Sequence, residues 1–197
     1  MKQIGVTVWL VLLITIVGVF FWYNEGIYQL PTPVPSDYHP VAEGTRILLK
    51  GALANYQGKP LFLHFFNPDC PCSRFNLRNF KVLAARYRDQ VQFVIIAVIK
   101  KKDTPIAIKK RFDLEIPVIT DDAIAARCGV YSTPQAVLLD GQGRLYYRGN
   151  YNSSRYCTDE RTAYANLALI SFLNKQKLKP GRLALTAYGC RLPECDR

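Results

Sequence analysis

The sequence predicts an α/β domain with a central mixed sheet and flanking helices, preceded by one N-terminal transmembrane helix. Three observations predict it. An uncharged apolar run occupies residues 4–23, two strand-like apolar runs flank a segment of helical periodicity, and two further strand-like runs flank a Gly-rich turn. Two strands joined by a helix are expected to pair in parallel, whereas two strands joined by a tight turn form an antiparallel hairpin. The sheet should therefore be mixed.

The apolar run at residues 4–23 is typical of a membrane anchor. Twenty residues of helix rise about 30 Å, the thickness of a hydrocarbon core. No small-residue cleavage site follows the run, and a buried core helix is usually shorter. Lys2 precedes the run and no Lys or Arg follows before Arg46, so residues 1–3 should be cytoplasmic. We expect a single-pass signal anchor in a bacterial inner membrane, with the C-terminal part facing the periplasm or exterior.

Composition excludes several classes of protein. At 197 residues, 49% hydrophobic and 21% charged, the chain is too apolar for disorder. The net charge of +11 excludes an acidic surface, but nucleic acid is not an expected partner outside the cytoplasm. The basic residues at 100–102 and 109–111 are interpreted as a solvated face. Met1 is the only methionine, which excludes a site built on several thioethers.

Four prolines in residues 24–46 predict a stiff, extended spacer that holds the domain off the membrane. The folded domain is expected over residues 47–178, and residues 179–197 form a tail that contains cysteines. Within the domain, Leu61–Phe66 and residues 91–98 have the composition of buried strands on either side of a helix. Later elements are expected as a helix at 104–112, a strand at 117–120, a helix at 121–128 closed by Gly129, hairpin strands Gln135–Leu139 and 144–149, and a helix at 160–175.

A Cys-Pro-Cys run lies between the first strand and the helix after it. Pro71 suits the first helical position, which makes Cys70 the N-cap. Its sulfur should then face the unpaired N–H groups at the helix start, where the dipole favours a thiolate. Arg74 should lower the pKa of this thiol and Asp69 should raise it. We therefore predict Cys70 as the reactive thiol.

The partner of Cys70 stays open at this point. Cys72 is two residues away and does not share its helix face, so a bridge between them would be strained. Cys72 could resolve or tune Cys70; otherwise Cys70 could pair transiently with Cys128, Cys157 or a cysteine of a client. Apart from Cys70 and Cys72 the chain has four cysteines, Cys128, Cys157, Cys190 and Cys195. Among these four we favour a structural disulfide between Cys157 and a tail cysteine, either Cys190 or Cys195. The Cys-Pro-Cys run could also be structural or inert.

These residues resemble the redoxin branch of the thioredoxin superfamily, over about residues 61–173. The resemblance rests on the strand LFLHFF, the turn NPDCPCSRF, and the segment GVYSTPQA at 129–136 before the hairpin. It implies a thioredoxin-like fold, with Pro134 in a cis peptide after Thr133 and packed against Cys70. It also implies thiol–disulfide exchange with protein thiols or disulfides as clients and an unidentified electron donor or acceptor. No cofactor or metal is required.

The sequence departs from the family pattern at the site. Ser73 stands where thioredoxins have their second cysteine, and Asp69 stands in place of the usual Trp. Two alternatives follow: a copper-binding domain that uses Cys70 and Cys72, since thiolates suit Cu(I), or a redox-inert scaffold on the same fold. His64, within an apolar strand, is interpreted as a core residue with a hydrogen-bond partner rather than as a ligand.

Overall fold

The computed structural model describes residues 2–99, 103–154 and 156–192. A central five-stranded sheet has the strand order β3-β2-β1-β5-β6, and β4 forms a separate two-stranded sheet with β7. The strands are β1 (Leu61–Phe66), β2 (Gln92–Ala97), β3 (Val118–Ile119), β4 (Ser132–Thr133), β5 (Gln135–Leu139), β6 (Leu145–Gly149) and β7 (Cys190–Arg191). The helices are α1 (Lys2–Asn24), α2 (Pro71–Tyr87), α3 (Pro105–Phe112), α4 (Asp122–Cys128), α5 (Tyr164–Leu173) and α6 (Arg182–Leu185).

The sheet is mixed, as predicted, and the fold is thioredoxin-like. β1 lies parallel to β2 and antiparallel to β5, with Leu61 opposite both Gln92 and Leu139. All six residues of β1 are buried, because helices cover both faces of the sheet. Phe62 and Phe66 pack in a core cluster with residues of α2 and α5, and Leu63 and Phe65 pack in a second cluster with residues of α4.

Local capping explains where the helices begin and end. Cys70 is the N-cap of α2 with Pro71 at its first position, as predicted. The Asp121 carboxylate accepts a hydrogen bond from the Ala123 N–H at the start of α4. Gly129 closes α4 at a φ of 66°, a left-handed conformation that glycine adopts without strain.

The helix predicted over 160–175 is interrupted in the structure. Glu160–Thr162 forms a 3-10 turn capped by the Asp159 side chain, and α5 begins only at Tyr164. Ala163, with ψ of 65°, lies between them and is not helical. The Ala165 N–H donates to the Tyr151 carbonyl, so the start of α5 is set by the chain leaving the sheet rather than by the preceding turn.

Helix α1 is exposed along its described length and has a mean hydropathy of 2.7 over its most apolar window. It is long and apolar enough to cross a membrane, by length and composition. This agrees with the expected N-terminal helix.

The proline-containing segment, predicted as a stiff, extended spacer, makes contacts with the domain. Thr32 is buried, and its hydroxyl lies 2.9 Å from the Ser132 hydroxyl oxygen. The Tyr38 hydroxyl donates to the Gly129 carbonyl at 3.0 Å. These bonds give the segment polar and packing contacts that a solvated spacer lacks. The basic residues at 100–102 lie outside the described residues.

Candidate functional site

A short turn after β1 positions Cys70. The Asp69 N–H donates to the Asn67 side-chain oxygen at 2.9 Å, and the Cys70 N–H donates to the Asn67 carbonyl at 3.1 Å. The Asn67 N–H in turn donates to the Ser73 hydroxyl at 3.3 Å. Ser73, at the place of a second thioredoxin cysteine, is therefore a structural residue of the turn.

Cys70 forms a disulfide with Cys190, a residue 120 positions away, with 6.4 Å between the two Cα atoms. Cys190 lies in β7, and β7 pairs antiparallel with β4 so that Cys190 stands opposite Thr133. None of Cys72, Cys128 or Cys157, the partners weighed from the sequence, is bonded to Cys70. The partner is instead a cysteine of the C-terminal tail, because the pairing of β7 with β4 brings Cys190 to the start of α2.

The disulfide is enclosed. Cys70 is 0% exposed, Cys190 is 2% exposed and Cys72 is 3% exposed, and the three form one buried cluster. The Cys70 side chain makes no capping hydrogen bond to the N–H groups of α2. The sulfur-to-amide contact expected for a thiolate is therefore absent from this oxidised form, in which the sulfur is bonded to Cys190 instead.

The predicted cis-proline segment, directly before β5, lies next to the disulfide. The peptide bond between Thr133 and Pro134 is cis, as the resemblance implied. The Cys70 sulfur lies 3.9 Å from the Thr133 carbonyl oxygen. Cys72, Thr133 and Pro134 thus lie near the disulfide. Cys190 was a candidate for a resolving or structural disulfide, but the sequence did not identify it as the partner of Cys70.

The two charged residues predicted to tune Cys70, Asp69 and Arg74, are both exposed. Asp69 is exposed, and its carboxylate oxygen lies 3.6 Å from a guanidinium nitrogen of Arg111. Arg74 is exposed on α2. An exposed pair at this distance is screened by water and stabilises the turn only weakly.

Two other cysteines lie apart from the disulfide. Cys128 is a buried free thiol in the cluster beneath α4, and burial raises its pKa to about 12. Cys157 is partly buried, its sulfur lies 3.0 Å from the Asn76 side-chain nitrogen, and burial raises its pKa to about 11. Of the favoured pairings, Cys157 with Cys190 is wrong because Cys190 is bonded to Cys70, and Cys195 lies outside the described residues.

A cavity of about 330 Å³ opens beside the disulfide. Cys72, Pro134 and Tyr188 form part of its wall next to the buried sulfurs. The rest of the wall is formed by Leu183 and by residues with amide, hydroxyl or carboxylate side chains: Glu25, Gln29, Asn76, Asn150, Tyr151, Asn152, Ser153 and Ser154. Cys72 is therefore the thiol of the cluster that borders open space.

His64 is a core residue, as expected from the sequence. Its Nδ1 atom lies 2.7 Å from the Tyr151 hydroxyl oxygen, and its ring stacks on Phe80 at 4.3 Å between centroids. Burial lowers its pKa to about 3, so the ring is neutral. Within the described residues, no three His, Cys, Asp or Glu side chains are grouped to hold a metal ion.

Comparison with solved structures shows the same fold in proteins from several bacteria. A hypothetical protein from Sinorhizobium meliloti 1021 matches at a TM-score of 0.65 and 21% identity, over 79% of this chain and 96% of that chain. An uncharacterized conserved protein from Geobacillus kaustophilus matches at a TM-score of 0.64 and 19% identity, over 83% of this chain and 97% of that chain. A putative thiol:disulfide interchange protein DsbE from Chlorobium tepidum is more distant, at a TM-score of 0.49 and 19% identity over 55% of this chain and 85% of that chain.

At these identities the likenesses show the fold alone. No curated protein matches the sequence significantly. A family model described as a domain of unknown function, DUF6436, matches residues 41–194. That range contains the turn, the cis-proline segment and both cysteines of the disulfide, and it covers more than half of the chain. The chain therefore belongs to the DUF6436 family.

Proposed function

We propose that the protein is a membrane-anchored, extracytoplasmic thiol–disulfide oxidoreductase that acts through Cys70, with Cys190 as the other half of its redox pair. One observation carries the proposal: the disulfide joins the N-cap of α2 to a strand that lies against cis Pro134. A cysteine at a helix N-terminus is a good leaving group, because the unpaired N–H groups stabilise its thiolate.

The chemical step of exchange at this disulfide requires a second thiolate and no other reactant, once a local opening exposes the sulfurs. A client thiolate attacks one sulfur of the pair, the bond between Cys70 and Cys190 breaks, and the other sulfur leaves as a thiolate. We assign the lower pKa to Cys70 once it is released, since Cys70, unlike Cys190, is at a helix start. Clients are protein thiols or disulfides, and an electron donor or acceptor returns the pair to its starting state.

Cys72 and the cis-proline segment support this chemistry. Cys72 borders both the disulfide and the cavity, so it could resolve a mixed disulfide at Cys70 or tune its reactivity. Pro134 and Thr133 would shape the surface that a client meets. Helix α1 would anchor the protein, and the oxidising environment outside the cytoplasm would allow the disulfide to persist.

Burial of the disulfide favours a second candidate, a structural bond in a redox-inert domain. Both sulfurs belong to residues that are at most 2% exposed, so a protein thiol cannot reach them without a local opening. Structural disulfides resist reduction and have potentials below about −300 mV, whereas exchange proteins lie at roughly −120 to −270 mV. The two candidates therefore differ in a measurable equilibrium.

The test is a redox titration of the full chain in detergent, with the oxidised fraction of Cys70 read by thiol trapping and mass spectrometry. Exchange function predicts a midpoint above about −270 mV, and a midpoint below about −300 mV supports the structural bond.

A trapping experiment then assigns the roles. In cells, Cys190→Ser and Cys72→Ser chains are each expected to accumulate mixed disulfides through Cys70, because a resolving thiol is missing. A Cys128→Ser chain is the matched control and should trap nothing, since that thiol is buried elsewhere. If Cys70→Ser traps client proteins equally well, the assignment of Cys70 as nucleophile is wrong.

A further inference from the structure

The C-terminal tail is held against β4 as an added strand. The last described residues, 186–192, are here called the tail strand. Within it Cys190 and Arg191 pair antiparallel with Thr133 and Ser132 of β4, and the Leu192 N–H donates to the Tyr131 carbonyl at 3.0 Å. On the other side, the Thr32 N–H donates to the Ala187 carbonyl at 2.8 Å, and the Thr32 hydroxyl donates to the Gly189 carbonyl at 3.1 Å. The tail strand thus lies between the N-terminal segment and the residue that precedes cis Pro134.

Gly189 makes this close approach possible. Its φ is 138°, and a Cβ atom built there would collide with the Thr133 carbonyl oxygen and lie 3.4 Å from Cδ of Pro134. Neither the conformation nor the space suits a larger residue. A polypeptide segment that lies along the edge of β4 and bonds its sulfur to Cys70 therefore needs glycine immediately before its cysteine.

We propose that the tail strand is an internal occupant of the client-binding edge, and that the client is an extended polypeptide segment with a Gly-Cys pair. This inference rests on the proposed function and names its substrate class. In the oxidised protein Cys190 stands where the client cysteine would stand. The client must take the place of the tail strand on Thr133 before its sulfur can remain on Cys70.

The exchange balances without a further reactant. The client thiolate attacks the Cys70 sulfur, a new bond forms between client and Cys70, and Cys190 leaves as a thiolate with the electron pair of the broken bond. A second client thiolate then attacks the client sulfur, and Cys70 leaves as a thiolate. The client dithiol becomes a disulfide, the Cys70 and Cys190 pair is reduced, and two protons pass to solvent.

The tail strand competes with the client even when the disulfide is broken. It is part of the same chain, so its effective concentration at β4 is high. The contacts that hold the tail strand in the described structure include the short ladder with β4 and the hydrogen bonds to Thr32. Loosening the Thr32 hydroxyl contacts should therefore open the edge to a client without touching either sulfur.

The experiment uses full-length Cys190→Ser protein in detergent, in which Cys70 is a thiol. The probes are two peptides, TAYGCRL and TAYACRL, each carried as a mixed disulfide with thionitrobenzoate. The Cys70 thiolate takes the peptide sulfur and thionitrobenzoate leaves as a coloured thiolate. We expect TAYGCRL to react roughly tenfold or more faster, because the added methyl group forces the strands apart.

A second pair of variants tests displacement. In the Cys190→Ser background, Thr32→Val should raise the rate with TAYGCRL roughly tenfold, because it removes the hydroxyl bond to the Gly189 carbonyl of the tail strand and the hydroxyl contact with Ser132 beside it. Thr32→Ser keeps the hydroxyl and should keep the slow rate. Gly181→Ala is the matched tail control and should leave the rate unchanged, because its Cβ would meet open space. Mass spectrometry should locate the peptide on Cys70.

Dithiodipyridine, a small disulfide, distinguishes a failure of the proposed client edge from a failure of the proposed exchange function. If Cys70 reacts with dithiodipyridine but the two peptides react at equal rates, or Thr32→Val changes nothing, the client edge is refuted and the exchange function stands. If Cys70 reacts with neither the peptides nor dithiodipyridine, the exchange function itself is refuted. The peptide comparison decides the question even if Thr32→Val does not fold, since it needs no second substitution.

Discussion

Stability at acid pH should depend on one buried imidazole. His64 is completely buried in β1, its Nδ1 atom bonds to Tyr151, and its Nε2 atom has no hydrogen-bond partner among the described residues. A proton on this ring would bring a charge into the core between Tyr151 and Phe80. Burial accordingly lowers the pKa of His64 to about 3.

The sign and size of the effect follow from linkage. The ring is neutral in the folded protein down to about pH 3, whereas in the unfolded chain it takes a proton below about pH 6.5. The unfolded state therefore binds more protons between these values, and stability falls as the pH falls through them. The slope is about 1.4 kcal/mol per pH unit, so His64 alone should remove about 2 to 3 kcal/mol between about pH 7 and about pH 4.5.

The assay is urea unfolding of the full chain in detergent, followed by far-ultraviolet circular dichroism at the two pH values. His64→Phe keeps a ring against Phe80 but does not titrate, so its unfolding free energy should lose about 2 to 3 kcal/mol less on acidification than that of the original chain. His39→Gln, at the only other histidine and at an exposed position, is the matched control and should keep the original slope.

Acid-sensitive carboxylates act equally in all three chains, so they cancel in this comparison. Equal pH slopes for the original chain and His64→Phe would refute the reasoning. A slope that disappears in His39→Gln would refute it as well, because the effect would then belong to the other histidine.

Three further predictions follow from single residues. Cys190→Ser should lower the unfolding free energy by up to about 5 kcal/mol in urea titrations, because the disulfide closes a loop with a sequence separation of 120; a loss below about 1 kcal/mol would show that the crosslink does not constrain the unfolded chain. Cys128, whose pKa is raised to about 12 by burial, should react with iodoacetamide at neutral pH only after unfolding, as read by peptide mass spectrometry; rapid labelling of the native protein would contradict its burial. Gly129→Ala should cost about 1 to 2 kcal/mol of stability, because a left-handed φ is required there and the new Cβ would meet a guanidinium nitrogen of Arg148; an unchanged melting temperature would contradict this.

The elements that depend on neighbours in sequence were predicted well. β1, α2 and β2 follow from apolar runs and helical spacing, and α4 follows from Asp121 at its start and Gly129 at its end. Helix 160–175 was the exception, because a hydrogen bond from Ala165 to Tyr151 sets the start of α5, and Tyr151 lies well upstream in the sequence.

The sequence by itself determined that an apolar helix precedes a mixed α/β sheet and that Cys70 begins a helix behind Pro71, since periodicity, capping and proline geometry act over a few residues. Only the tertiary structure decided that Cys190 is the partner of Cys70, that Ser73 supports the turn, and that residues 31–46 pack on the domain. Those outcomes depend on closing a loop of about 120 residues and on docking the tail beside Thr133. The free energy of such contacts comes from surfaces that exist only once the sheet has formed.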